Sequence, residues 1–111
     1  MYNNNQRDTQ RLSLSIPIDL IFGTQITLRG QIKNLSLKGA FIIIKSSVHM
    51  ATNDELEVNI KGLPGDPDAC IQATARISRV APGEGIAIYF TKMDGISEGH
   101  LQRLVGSTAA G

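Results

Sequence analysis

Leu12-Ser13-Leu14-Ser15-Ile16-Pro17-Ile18-Asp19-Leu20-Ile21-Phe22 is the stretch whose reading decides the fold. Leu12, Leu14, Ile16, Ile18, Leu20 and Phe22 fall at every second position, and Arg11, Ser13, Ser15, Pro17 and Asp19 take the alternate ones. Successive side chains of a strand point to opposite faces, so this pattern predicts one long strand with a buried face and a wet one. Pro17 has no N–H to give a neighbouring strand, which predicts an exposed edge or a bulge there. Gly23-Thr24 is a short hairpin signal, and the same period resumes through Ile26, Leu28, Gly30 and Ile32 to Asn34.

The pattern continues downstream. A turn over Asn34–Gly39 leads into a third strand, Ala40–Ile44, and Ser46–Asn53 reads as a connection. Leu56, Val58 and Ile60 alternate in a fourth strand, and Gly62-Leu63-Pro64-Gly65-Asp66-Pro67-Asp68 is loop by composition. A fifth strand is expected over about Ala69–Val80, a turn at Ala81–Gly85 and a sixth strand over Ile86–Thr91. The two ends differ in character. Residues 1–10 are rich in Asn and Gln and poor in apolar anchors, which predicts a flexible arm. From about Ser97 a short helix is expected, with Ser97 as its cap and Leu101, Leu104 and Val105 as its apolar stripe; Gly99 weakens it. The tail 106–111 is expected to be disordered. Six short antiparallel strands separated by turn signals predict a mainly β fold, a small six-stranded barrel over residues 11–105 with the helix covering an open end or a side.

A chain of 111 residues is one domain, and at this size folding buries roughly two thirds of the unfolded surface. The single cysteine, Cys70, excludes an internal disulfide, points to a reducing compartment and reads as a small core residue. The polar start, Met1–Gln6, carries no apolar signal core, and no run approaches a membrane span, so a cytoplasmic location is expected. The formal charge of +1 argues against a partner as long as DNA or RNA, which calls for a broad basic face. A small anion needs only two or three arginines brought to one spot.

Two clusters carry such chemistry. Arg7 and Arg11 form an RxxxR pair at the hinge between arm and first strand, and Asn34, Ser36 and Gly39 form an Asn-x-Ser-x-x-Gly turn after the second. An arginine fork can grip phosphate oxygens or the O6/N7 edge of guanine with two parallel hydrogen bonds. Asn brings donors and an acceptor, Ser a hydroxyl, and Gly a backbone that can take positive φ or approach a neighbour closely. Asn, Ser and Gly are also ordinary turn residues, and both arginines read alone as solvated charges. The arginine pair arises by chance in about one such chain in four, the two motifs together in roughly one in a hundred, taking ordinary composition as the baseline.

In this order, either side of a hairpin pattern, the two motifs resemble the signature of the PilZ domain, and the resemblance runs from about Arg7 to Val105, including the strand Gly85-Ile86-Ala87-Ile88-Tyr89-Phe90 and the closing helix. PilZ domains are bacterial receptors for cyclic diguanylate (cyclic di-GMP), a second messenger of motility and biofilm growth. The resemblance implies a PilZ-type barrel whose arm wraps over its outer surface, so that Arg7, Arg11, Asn34, Ser36 and Gly39 clamp the ligand. It implies a non-enzymatic receptor that orders its arm on binding and signals to flagellar, pilus or polysaccharide machinery. Lys38 and Arg79 are auxiliary candidates, Lys38 near a phosphate and Arg79 because a residue of this strand can line the family's binding surface. Gln6 departs from the family, many of whose members carry another basic residue there, resembling the arrangement that captures a stacked ligand dimer. The alternative is a PilZ-like adaptor of type IV pilus assembly that does not bind the nucleotide. A barrel for single-stranded nucleic acid ranks last, because only Tyr2, Tyr89 and three Phe could serve as stacking platforms.

Nothing in the chain supports catalysis or a resident cofactor. His49 and His100 lack partners at metal-ligand spacing, and Asp66 and Asp68 lack the ladder of oxygens that calcium needs. Neither a nucleophile elbow nor a Walker loop is present.

Overall fold

The computed structural model describes residues 12–23, 26–44 and 50–110. They form β1 (Leu12–Phe22), β2 (Ile26–Leu35), β3 (Gly39–Ile43), β4 (Glu55–Leu63), β5 (Asp66–Ala81), β6 (Gly85–Met93) and α1 (Gly95–Ala110). Every pairing is antiparallel, and the order β1-β2-β3-β6-β5-β4 closes on itself as a barrel where β1 meets β4. The expected β fold is therefore the observed one. Its interior is the alternate set of apolar residues: Ile16, Ile18 and Leu20 of β1, Ile32 and Leu35 of β2, Ile42 of β3, Leu56, Val58 and Ile60 of β4, Ile71 and Ile77 of β5, and Ile86 and Ile88 of β6 are all buried. Each such side chain removed from water contributes on the order of 1.5–3 kcal/mol, which is what holds the ring shut around its contents.

The closing seam is short. β4 pairs with β1 only from Asp19 to Ile21, and Pro17, exposed and opposite Gln31 of β2, lies beyond it. A register shift between Ser13 and Ile16 precedes the proline. The missing N–H thus falls where no second strand asks for it.

The structure corrects several expectations. The stretch 62–68 is not a loop: β4 runs to Leu63, β5 starts at Asp66, and Pro64-Gly65 alone makes the turn, with Gly65 at φ 83°. Proline followed by a glycine of positive φ is the pair a type II turn favours, so two residues suffice. Cys70 is exposed rather than a core residue, because Ala69 and Ile71 on either side of it take the inward positions of β5. The helix begins before Ser97 and continues past Val105 through residues expected to be a loose tail. Its cap is Asp94, whose Oδ1 accepts from the Ser97 amide at 2.7 Å. Those hydrogen bonds, the backbone one from Ser97 first, hold the Asp94 carboxyl below its ordinary value. Ser97 instead ties the helix to the barrel: its buried Oγ accepts from the Gln72 amide at 2.9 Å. Leu101 and Val105 complete the contact, and α1 lies chiefly along β5. Among the described residues no helix is long and apolar enough to cross a membrane.

Candidate ligand-binding site

Strand phase determines which side chains reach the outer face, and two slips in phase build the site. On β2, Gly30 and Ile32 are buried two apart, but the next buried residue is Leu35. The pairing with β3 shifts at the same place, from Ile32↔Ile42 to Asn34↔Phe41, leaving Lys33 as an extra residue. That bulge turns Asn34 outward, where strict alternation would have sent it into the core. On β5, Ala75 and Ile77 are buried, then Ser78 and Arg79 are both exposed. The pairing with β6 slips from Ile77↔Ile88 to Arg79↔Ala87, so Arg79 is turned outward by the same device.

The consequence is one row of outward positions across four strands, Asn34 on β2, Phe41 on β3, Ala87 on β6 and Arg79 on β5. Beside it, Gly39 of β3 stands opposite Tyr89 of β6. The β2–β3 turn closes one end. The Ser36 amide donates to the Gly39 carbonyl at 2.9 Å, and the Ser36 Oγ accepts from the amides of Lys38 and Gly39, each at 3.2 Å. The Phe90 amide donates to the Lys38 carbonyl at 2.8 Å, which fixes the turn to β6. These residues line an open depression of about 430 Å³, and among the described residues Lys33, Lys38 and Arg79 surround it against one carboxylate, that of Glu84.

The structure therefore brings together Asn34, Ser36, Lys38, Gly39 and Arg79. Arg7 and Arg11 lie outside the described residues. Each member of the group stands differently. Asn34 is half-buried, and its amide has no hydrogen-bond partner among the described residues, so its donors and acceptor are available to a ligand. Ser36 spends its hydroxyl on the turn and acts there as a builder. Gly39 is required by close approach and not by φ: a Cβ at this position would be driven into the Ile88 carbonyl oxygen. Arg79 lies over the Phe41 ring, 5.7 Å from its centroid, and pairs with no carboxylate among the described residues. Arg76, three positions earlier, is occupied: it donates to the Asn53 carbonyl at 2.8 Å and lies 3.7 Å from Glu55.

Sequence reasoning did not assign Phe41, Tyr89, Lys33 or Glu84 to the site. The alternation of β6 could have found Tyr89, because Ile88 inside leaves its neighbour outside. Phe41, between Ala40 and Ile42, was legible in the same way. Among the described residues no three His, Cys, Asp or Glu side chains gather to hold a metal ion.

Comparison with known proteins gives the same outline. A family model described as the PilZ domain matches residues 5–107. The chain resembles the PilZ domain of CeSA from a cellulose-synthesizing bacterium, with a TM-score of 0.67 and 24% identity over 88% of this chain and 96% of that one. It resembles the PilZ domain of YcgR from Escherichia coli, a structure containing c-di-GMP, with a TM-score of 0.67 and 15% identity over 87% of this chain and 86% of that one. The inhibitor of motility MotI/DgrA of Bacillus subtilis superposes with a TM-score of 0.73 at 12% identity, covering 90% of this chain and 49% of its own. At these identities the likeness to solved structures is one of fold. No curated protein matches.

Proposed function

This chain belongs to the PilZ domain family, and on that premise we propose that it is a non-enzymatic receptor that binds cyclic di-GMP in the depression beside the β2–β3 turn. The observation that carries the reading is that the turn residues and Arg79, far apart in the chain, line one surface on which, among the described residues, the Asn34 amide has no partner and cations outnumber carboxylates. That is the chemistry of a ligand that is anionic along its phosphates and hydrogen-bonding at its guanine edges. Arg7 and Arg11 supply the remaining charge from the arm, and the arm closes over the ligand as it binds. The surface formed by the closed arm is what a downstream protein reads, and motility, pilus or polysaccharide machinery are the classes of partner the reading favours. The likeness to a c-di-GMP-containing PilZ structure and to an inhibitor of motility supports this outline.

Calorimetric titration with cyclic di-GMP, with GTP and cyclic AMP as controls, tests the reading. A ligand that binds only the folded state stabilises it by about 2.7 kcal/mol at a hundredfold excess over Kd, so the melting temperature should rise with cyclic di-GMP and with neither control. Neither heat nor a melting shift at millimolar cyclic di-GMP would leave the adaptor reading in its place.

A further inference from the structure

We infer that Phe41 is a positioning residue for ligand binding: its ring face holds the Arg79 guanidinium over the depression, where it stays open to a purine. The inference rests on the receptor reading above and adds to it the residue that readies Arg79.

Phe41 and Arg79 are on β3 and β5, which are not neighbours; β6 runs between them. Their cross-strand positions are linked through Ala87, which pairs with Phe41 on one side and Arg79 on the other. A methyl group at Ala87 leaves the path open, so the long arginine side chain can cross β6 and bring its charge 5.7 Å from the ring centroid. A bulkier residue there would stand between them. The bulge at Ser78 is the other requirement, since unbroken alternation would turn Arg79 inward. Arg79 has no carboxylate to hold it among the described residues. The aromatic face is thus its partner among the described residues, and it leaves the side chain exposed. A guanidinium held against an aromatic face can stack on a purine or offer its N–H groups to the O6/N7 edge. Restricting the side chain beforehand lowers the ordering cost of binding.

The test is a calorimetric double-mutant cycle with cyclic di-GMP on the full chain, with denaturant unfolding of every variant alongside. Phe41→Leu removes the quadrupole and keeps an apolar side chain, and should weaken binding about two- to fivefold, the range of an exposed cation–π contact. Phe41→Tyr should bind within about twofold of the parent, since tyrosine keeps the aromatic face. Arg79→Ala should cost about tenfold or more, and Arg79→Lys should recover little of it. Phe41→Leu made in the Arg79→Ala background should cost nothing further, because its effect passes through Arg79. An unchanged affinity for Phe41→Leu, or the same loss in both backgrounds, overturns the inference and leaves the receptor reading standing. A parent protein that takes up no cyclic di-GMP overturns both.

Discussion

Asn34 and Arg79 share one outward row of the barrel, joined through Phe41 and Ala87, and each occupies it because its own strand carries one extra residue beside it. Two bulges on two strands, at Lys33 and Ser78, therefore act on the same surface. Bulges re-aim side chains at the cost of local pairing, and here the two re-aimed residues are an amide and an arginine that, among the described residues, have no hydrogen-bond partner and no carboxylate respectively. The row makes the site a property of the closed sheet and of no single segment.

Asn34→Ala should separate binding from folding. Its amide supports nothing in the described fold, so unfolding free energy should change by less than about 0.5 kcal/mol. Affinity for cyclic di-GMP should fall on the order of tenfold, about one charge-assisted hydrogen bond. Urea denaturation beside calorimetry checks both, and a large stability loss with unchanged affinity would remove Asn34 from the site.

Gly39 should behave in the opposite way. Any side chain there meets the backbone of Ile88 and Tyr89, where β3 and β6 pair. Gly39→Val should destabilise the fold by about 1–3 kcal/mol or more, as overpacking does, and take binding down with it. Leu37→Ala, on an exposed side chain of the same turn, should leave stability within about 0.5 kcal/mol of the parent. The comparison is a pair of denaturation curves.

Arg7→Ala and Arg11→Ala should each weaken cyclic di-GMP binding by about tenfold or more, and Arg→Lys should restore little, because lysine cannot make the planar two-point contact. Melting temperatures without ligand should stay close to the parent's. Full-strength binding by Arg11→Lys would show that charge alone matters there.

Ligand should also change the arm. On the receptor reading, the ligand's phosphates are the expected partners of Arg7 and Arg11, since residues 1–10 offer few apolar side chains. Amide hydrogen exchange over 7–10 is expected to slow when cyclic di-GMP is added. Equal protection with and without ligand would mean a preformed site and no ordering switch.

Asp94 gives the helix a pH dependence. Its carboxyl is held below the ordinary value of 3.8 by the hydrogen bonds it accepts from Ser97. A group whose folded value is depressed contributes stability above its unfolded value, and that contribution is lost as pH falls through the folded value. The helix contact should therefore weaken only below about pH 4. Asp94→Ala should lower the melting temperature at neutral pH, and its deficit against the parent should shrink as the pH falls through that window. A deficit that stays constant down to pH 2 would assign the loss to something other than the carboxylate.

The sequence by itself determined that there are six strands, most of their inner face, and the family. A period of two is a local signal, and burying Ile18, Leu20, Ile32, Ile60 and Ile86 follows from it whatever the partners are. The turn residues Asn34, Ser36 and Gly39 were legible because their spacing is local too. What only the tertiary structure decided is which outward residues meet. Whether Asn34 and Arg79 point out or in depends on one-residue slips against β3 and β6, and a slip exists only in relation to a neighbouring strand. Pairing likewise decided that Leu63 and Asp66 close a two-residue hairpin and that Cys70 stands outside, and packing on β5 turned Ser97 from an expected cap into an anchor. Alternation along a chain is set by each residue's own backbone, whereas a shared surface is set by the register between chain segments, and register is an outcome of folding.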